Sequence, residues 1–185
     1  MNELAPGIVM FDNIFPDSMD YISKLSETAG IWSLASVVED EEKTYNKNHR
    51  DTDSLLLLDR SISEDSDLGE FSKKFYESTT KSILEYLKSY SVNFSRFETA
   101  QLLRYGAGQK FDMHIDSHPT MQRTVSLVYY ANDGYLGGEI EFPRFDLKIK
   151  PKAGQLILFP SNYIYNHTVL PVISGTRFCV VQWIL

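Results

Sequence analysis

At 185 residues, with hydrophobic residues at 43% and charged residues at 23%, the chain can bury one compact core, and no Pro/Gly/Ser-rich linker divides it. A formal net charge of −7 disfavours phosphate backbones as partners, and the one dense charge run, Glu39-Asp40-Glu41-Glu42, is itself acidic. One cysteine, Cys179, excludes an internal disulfide; with no basic region ahead of an apolar run near Met1 and no apolar stretch long enough to span a bilayer, the expectation is a soluble, cytoplasmic protein without membrane or nucleic-acid partners.

Ile8-Val9-Met10-Phe11 reads as the core of a first strand. Pro16-Asp17 opens a helix predicted over 16–29, because proline suits a first turn and an acidic group suits the positive helix start; Gly30 stops it. Residues 38–52 are polar and aperiodic, a surface loop and a candidate lid. A second helix is predicted over 68–90, where Leu68, Phe71, Phe75, Thr79, Ile83 and Leu87 recur at spacings of three and four and share one core-facing side. From Phe97 the period falls to two. Strands are predicted over 97–105, 124–131, 139–142, 147–150, 155–159 and 176–185, separated by turns such as Gly106-Ala107-Gly108 and Asn132-Asp133-Gly134. Short strands following helices predict a mainly β, α+β domain: an antiparallel barrel or jelly roll with the N-terminal helices outside it. Residues 1–92 would supply helical support and the lid, and 93–185 the jelly roll, all within one domain over 1–185.

Two of the four histidines fall in settings that suit metal ligation. His114-Ile115-Asp116 places an imidazole and a carboxylate two residues apart, on one side of an extended segment. His167 is the third candidate. Two imidazoles and one carboxylate on one face of an ion leave the opposite face open, which suits Fe(II) and oxygen chemistry better than structural zinc. The last strand puts Arg177, Cys179, Val181 and Trp183 on one face and Phe178, Val180, Gln182 and Ile184 on the other, both apolar apart from Arg177 and Gln182. An arginine turned into a barrel requires an anion, either an internal Asp or Glu or a bound carboxylate. Tyr130 shares a strand face with Ser126 and Val128; beside Arg177 it would complete a carboxylate clamp, and otherwise its hydroxyl would bond backbone. His49 and His118 read as ordinary loop residues, and Gly106 and Gly108 as turn glycines without a phosphate-binding helix behind them.

The stretch from Leu102 through Tyr105-Gly106 to His114-Ile115-Asp116 resembles the iron-binding segment of prolyl 4-hydroxylases. So do, in order, Arg123 to Asn132, Gly137-Gly138-Glu139, Phe142-Pro143, Lys150 to Gly154, Leu158-Phe159-Pro160, His167 and Gly175-Thr176-Arg177. The resemblance is dense in the C-terminal half and weak over 30–90. It implies a double-stranded β-helix and an Fe(II)- and 2-oxoglutarate-dependent dioxygenase, with O2 as second cosubstrate and ascorbate as candidate reductant. Carried over by position, His114, Asp116 and His167 would hold iron. Arg177 and Tyr130 would grip the distal carboxylate of 2-oxoglutarate, Tyr105 would line its pocket, and Trp183 would form part of the floor. Oxidative decarboxylation would release succinate and CO2 and hydroxylate a C–H bond, with a peptidyl proline as substrate by analogy. Arg50, in His49-Arg50-Asp51-Thr52, stands where relatives fold a segment over the substrate, although an exposed loop arginine is the plainer reading. Two departures stand out: Arg177 where many relatives carry lysine, and Ile140 where many carry threonine. Rival readings are the same chemistry on a small molecule or nucleic acid, and a non-catalytic jelly-roll binding module.

Overall fold

The computed structural model describes residues 1–28, 30–35, 37–39, 42–44, 46–60 and 65–185, with 37–39 and 42–44 described as backbone alone. The described strands are β1 (Asn2–Ala5), β2 (Ile8–Phe11), β3 (Ser33–Leu34), β4 (Val37–Glu39), β5 (Glu42–Thr44), β6 (Asp53–Leu56), β7 (Gln101–Tyr105) and β8 (Phe111–His114). They continue with β9 (Val125–Tyr130), β10 (Leu136–Gly137), β11 (Ile140–Phe142), β12 (Leu147–Ile149), β13 (Gln155–Pro160), β14 (His167–Val169), β15 (Val172–Ser174) and β16 (Arg177–Ile184). The described helices are α1 (Ser18–Glu27) and α2 (Asp67–Ser89).

The two helices form where their sequences dictate. Ser66 caps α2, its hydroxyl accepting from Gly69 N at 3.0 Å, with Asp67 and Glu70 in the first turn and Lys88 in the last. The predicted stripe is the buried side: Phe71, Phe75, Thr79, Ile83 and Leu87 are all core residues. Helix α1 starts at Ser18, two residues later than predicted, with Asp17 at its N-cap; the buried Ser18 hydroxyl is bonded to Tyr129 Oη at 2.6 Å. The final residue of the predicted helix, Ala29, lies outside the described residues.

Two antiparallel sheets face each other. The larger runs β1-β2-β13-β9-β16-β7-β6-β3, and the smaller β12-β11-β14-β8. Alternation along the large sheet divides its side chains. Val9, Leu102, Tyr129, Leu158 and Val180 meet Phe71, Phe75 and the other helix residues in one core. Ile8, Leu103, Tyr130, Ile157 and Cys179 point the other way and meet Ile140, Phe142, Ile149 and Val169 of the small sheet in a second core. Stacked sheets of this kind, with helices outside, form the jelly roll that the strand pattern predicts.

Two expectations need correction, and a third, the extended segment at His114, is sharpened. The strand expected from Phe97 begins at Gln101, Phe97 making only an isolated bridge to Ile184. The expected loop over 38–52 carries ladder structure, since β4 pairs with β5 across Glu39↔Glu42; Asp40 and Glu41 of the acidic run lie outside the described residues. His114 lies in a regular strand, β8, which the polar composition around Asp112 conceals. Among the described residues no helix is long and apolar enough to cross a membrane.

Candidate active site

The second core opens at one end, and there the small sheet sets its polar residues. Strands β8 and β14 pair so that His114 and His167 are direct cross-strand partners. Asp116 follows β8 by two residues and turns to the same side. One ligating atom from each of the three lies within 4.8 Å of the other two.

The ring orientations are fixed from behind. His114 Nδ1 sits 2.8 Å from Asp112 O, and His167 Nδ1 sits 3.1 Å from Tyr165 O. A carbonyl oxygen only accepts, so Nδ1 carries a proton in both rings, and Nε2 is the nitrogen of each that faces the site and could ligate an ion. Those Nε2 atoms lie 3.7 Å and 3.8 Å from the Asp116 carboxylate oxygens. Phe111 stacks flat on His114, ring centroids 3.5 Å apart. Asp116 is oriented in turn by Ser126, whose hydroxyl donates to Oδ2 at 2.6 Å and lies 2.7 Å from the Ser161 hydroxyl.

Burial above all, and then the neighbouring His167 ring, holds the His114 imidazole down to about 3, so it is neutral at physiological pH. Burial pushes the Asp116 carboxyl up, but His167, His114, the Ser126 hydroxyl and Arg123 together outweigh it and keep the group low and ionised. Two imidazoles and one carboxylate, supported by outer hydrogen bonds, fit a divalent ion with open coordination positions.

A cleft of about 420 Å³, its mouth included, runs from these residues to Arg177. Arg177 is 1% exposed, and no carboxylate lies within salt-bridge distance of it among the described residues. Its guanidinium instead packs against the rings of Tyr105 and Tyr130, at 4.7 Å and 5.1 Å, and Nη1 donates to Cys179 Sγ at 3.2 Å. The Nε of Arg177 and the hydroxyls of Tyr130 and Tyr135 are buried without a hydrogen-bond partner among the described residues. A buried guanidinium without a carboxylate among the described residues, set beside two tyrosine hydroxyls, is a donor set that an anion could satisfy.

The model of the 2OG-Fe(II) oxygenase superfamily matches residues 100–185, the stretch that holds both the donors and Arg177. A PKHD-type hydroxylase of Synechococcus sp. (strain CC9902) is 28% identical over 174 residues, covering 91% of this chain and 72% of that protein. This chain carries a 2OG-Fe(II) oxygenase domain and has PKHD-type hydroxylase homologues. Prolyl 4-hydroxylase 13 of Arabidopsis thaliana is 32% identical to the oxygenase over 117 residues, with 48% of this chain and 43% of that protein covered. The oxygenase therefore spans less than half of that relative's length. Among solved structures, a prolyl hydroxylase from Trichoplax adhaerens, in complex with a hypoxia inducible factor oxygen degradation domain peptide fragment, superposes with a TM-score of 0.78. It is 18% identical, covering 97% of the oxygenase and 83% of that chain, and so attests the shared fold.

The sequence-predicted residues divide as follows. His114, Asp116 and His167 converge, and Tyr105, Trp183 and Arg177 line the same cleft. Tyr130 packs beside Arg177 at its deep end. His118 is a loop residue bonded to Thr120, as expected. Arg50 overturns the plainer reading: it is 9% exposed, its guanidinium lies 4.7 Å from the Phe111 ring, and it lines the cleft. A β-bridge to Phe111 draws it in, which a polar stretch without periodicity does not announce. Sequence reasoning also missed Ser126 and Tyr135. Ser126 was recoverable, since it alternates on the same face of β9 as Tyr130; Tyr135 sits in a turn, where no periodicity assigns a side.

Proposed function

We propose that the oxygenase is an Fe(II)- and 2-oxoglutarate-dependent dioxygenase that hydroxylates an unactivated C–H bond, with a prolyl residue in a peptide as the favoured substrate. The observation that carries the proposal is Arg177, a buried cation with no carboxylate in salt-bridge distance among the described residues, in one cleft with three convergent metal-type donors. Residues 1–185 would act as one catalytic unit, 1–92 supporting and 93–185 carrying the chemistry. His114, Asp116 and His167 would hold the iron; Arg177 and Tyr130 would hold the distal carboxylate of 2-oxoglutarate. When bound, the iron supplies the oxidising chemistry that consumes O2 and 2-oxoglutarate and yields succinate and CO2. The chain's own part is geometric. Ser126 and the two carbonyl partners of the histidines fix the donors, while Tyr105 and Trp183 wall the cosubstrate from water. Arg50, at the cleft beside Phe111, is placed to meet backbone carbonyls of an extended peptide.

The similarity to a PKHD-type hydroxylase supports hydroxylation, and that to the Arabidopsis prolyl 4-hydroxylase supports proline. A lone, buried cysteine supports a reducing, cytoplasmic setting. Succinate release measured across proline-rich peptides, with mass detection of one added oxygen, tests the reading. Peptide-dependent oxygen addition is expected. Succinate without any peptide modification would remove the prolyl assignment, and no succinate with any peptide or small molecule would remove the enzyme. Omitting ascorbate from the same assay shows whether it serves as reductant.

A further inference from the structure

The turn between β9 and β10 turns one aromatic inward and leaves an aliphatic out. Tyr135 is 3% exposed, whereas its neighbour Leu136 is 62% exposed. Burying a phenol while exposing a leucine runs against hydrophobicity, so the hydroxyl needs a polar reason to be inside. Yet that hydroxyl has no hydrogen-bond partner among the described residues.

Its position is tightly specified. Asn132 straps the turn to the start of β16, donating to Thr176 O at 2.7 Å and accepting from Phe178 N at 2.8 Å. A Cβ at Gly175 would fall 3.2 Å from Tyr135 Cα, so the turn rests directly on the residue pair that leads into Arg177. Gly138 has a φ of +65°, and a Cβ there would lie 3.1 Å from both Tyr135 Cε2 and Arg177 Cδ. The absent side chain lets the phenol ring and the arginine stem close on one point. Lys150 backs the ring, its Nζ 3.7 Å from the centroid and donating to Tyr135 O and Gly137 O. Burial raises the phenol above its ordinary range, while the neighbouring Arg177 charge pulls it down, so it is a neutral donor at physiological pH.

We infer that Tyr135 is a third member of the anion clamp, joining Arg177 and Tyr130 in holding the distal carboxylate of 2-oxoglutarate. The inference rests on the proposed cosubstrate reading of the cleft. Three orphaned groups, Arg177 Nε and the two tyrosine hydroxyls, supply the donors a carboxylate needs on leaving water. Among the described residues the hydroxyl's polar neighbour is Arg177 itself, so Tyr135→Phe removes no hydrogen bond that ties one element of the fold to another.

The test compares 2-oxoglutarate with 2-oxovalerate, a five-carbon 2-oxo acid ending in a methyl group, by calorimetric titration of the full Mn(II)-loaded chain. For Tyr135→Phe, affinity for 2-oxoglutarate is expected to fall about tenfold, as for one hydrogen bond to a charged group. Affinity for 2-oxovalerate and the melting temperature of the ligand-free protein should not fall. Unchanged 2-oxoglutarate affinity, or equal weakening for both acids, would overturn the role of Tyr135 while leaving the cosubstrate reading intact. If the unsubstituted protein binds no 2-oxoglutarate, that reading falls and the clamp with it.

Discussion

Arg123 and Arg177 both approach the inner face of β16, and they are satisfied in opposite ways. Arg123 donates to both Glu98 carboxylate oxygens, at 2.8 Å and 2.7 Å, and lies 3.6 Å above the Trp183 ring. Arg177, with no such partner among the described residues, keeps a desolvated charge at the folded state's expense. Arg177→Met, which retains an apolar stem, should therefore stabilise the ligand-free protein by about 1–4 kcal/mol while abolishing 2-oxoglutarate binding. Thermal melts and calorimetry on one preparation check both halves; a lowered melting point with binding retained would contradict the account. At Asp116 the argument reverses, because Ser126 supports a donor. Ser126→Ala should weaken Mn(II) binding by roughly 10-fold or more, an effect that metal titration reads directly. His114, Asp116, His167 and Arg177 were legible in sequence because each lies in a motif or on an alternating strand. Arg50 was not, because its burial comes from a bridge to a residue far along the chain.

Helix α2 shows what periodicity can and cannot settle. Ile83 is 1% exposed and the next residue, Leu84, is 50% exposed. The spacing assigns them to opposite sides despite their equal hydrophobicity. Ile83→Ala should cost about 2–5 kcal/mol and Leu84→Ala no more than about 0.5 kcal/mol, both measurable by urea denaturation. Similar costs at the two sites would mean that α2 packs on a different face. The C-terminal strands were readable for the same reason, since β9, β13 and β16 alternate cleanly or run apolar throughout. The short strands β8, β14 and β15 were not: three or four residues with mixed polarity carry too little pattern, and the partner strand determines their conformation.

At the scale of the molecule, neighbours in the large sheet are mostly distant in sequence. Strand β2 lies against β13, and β6 against β7, beyond the reach of local patterning. Fold class followed from the succession of elements, but their spatial order did not. Ligand binding should tighten the whole assembly by mass action. With Mn(II) present and 2-oxoglutarate at about 100 times its dissociation constant, stability should rise by about 2.7 kcal/mol, seen as a higher melting temperature. The pairing of His114 with His167 carries a last consequence, for β8. This strand is the rim of the small sheet, zipped to β14 on one side and met on the other by the short 49–51 segment. A shared ion would rivet that rim to its neighbour. In deuterium-exchange mass spectrometry, the peptide spanning Phe111–His114 should take up label early in metal-free protein and become the segment most slowed once Mn(II) is added. Identical uptake curves with and without the ion would show that the rim is held by backbone alone.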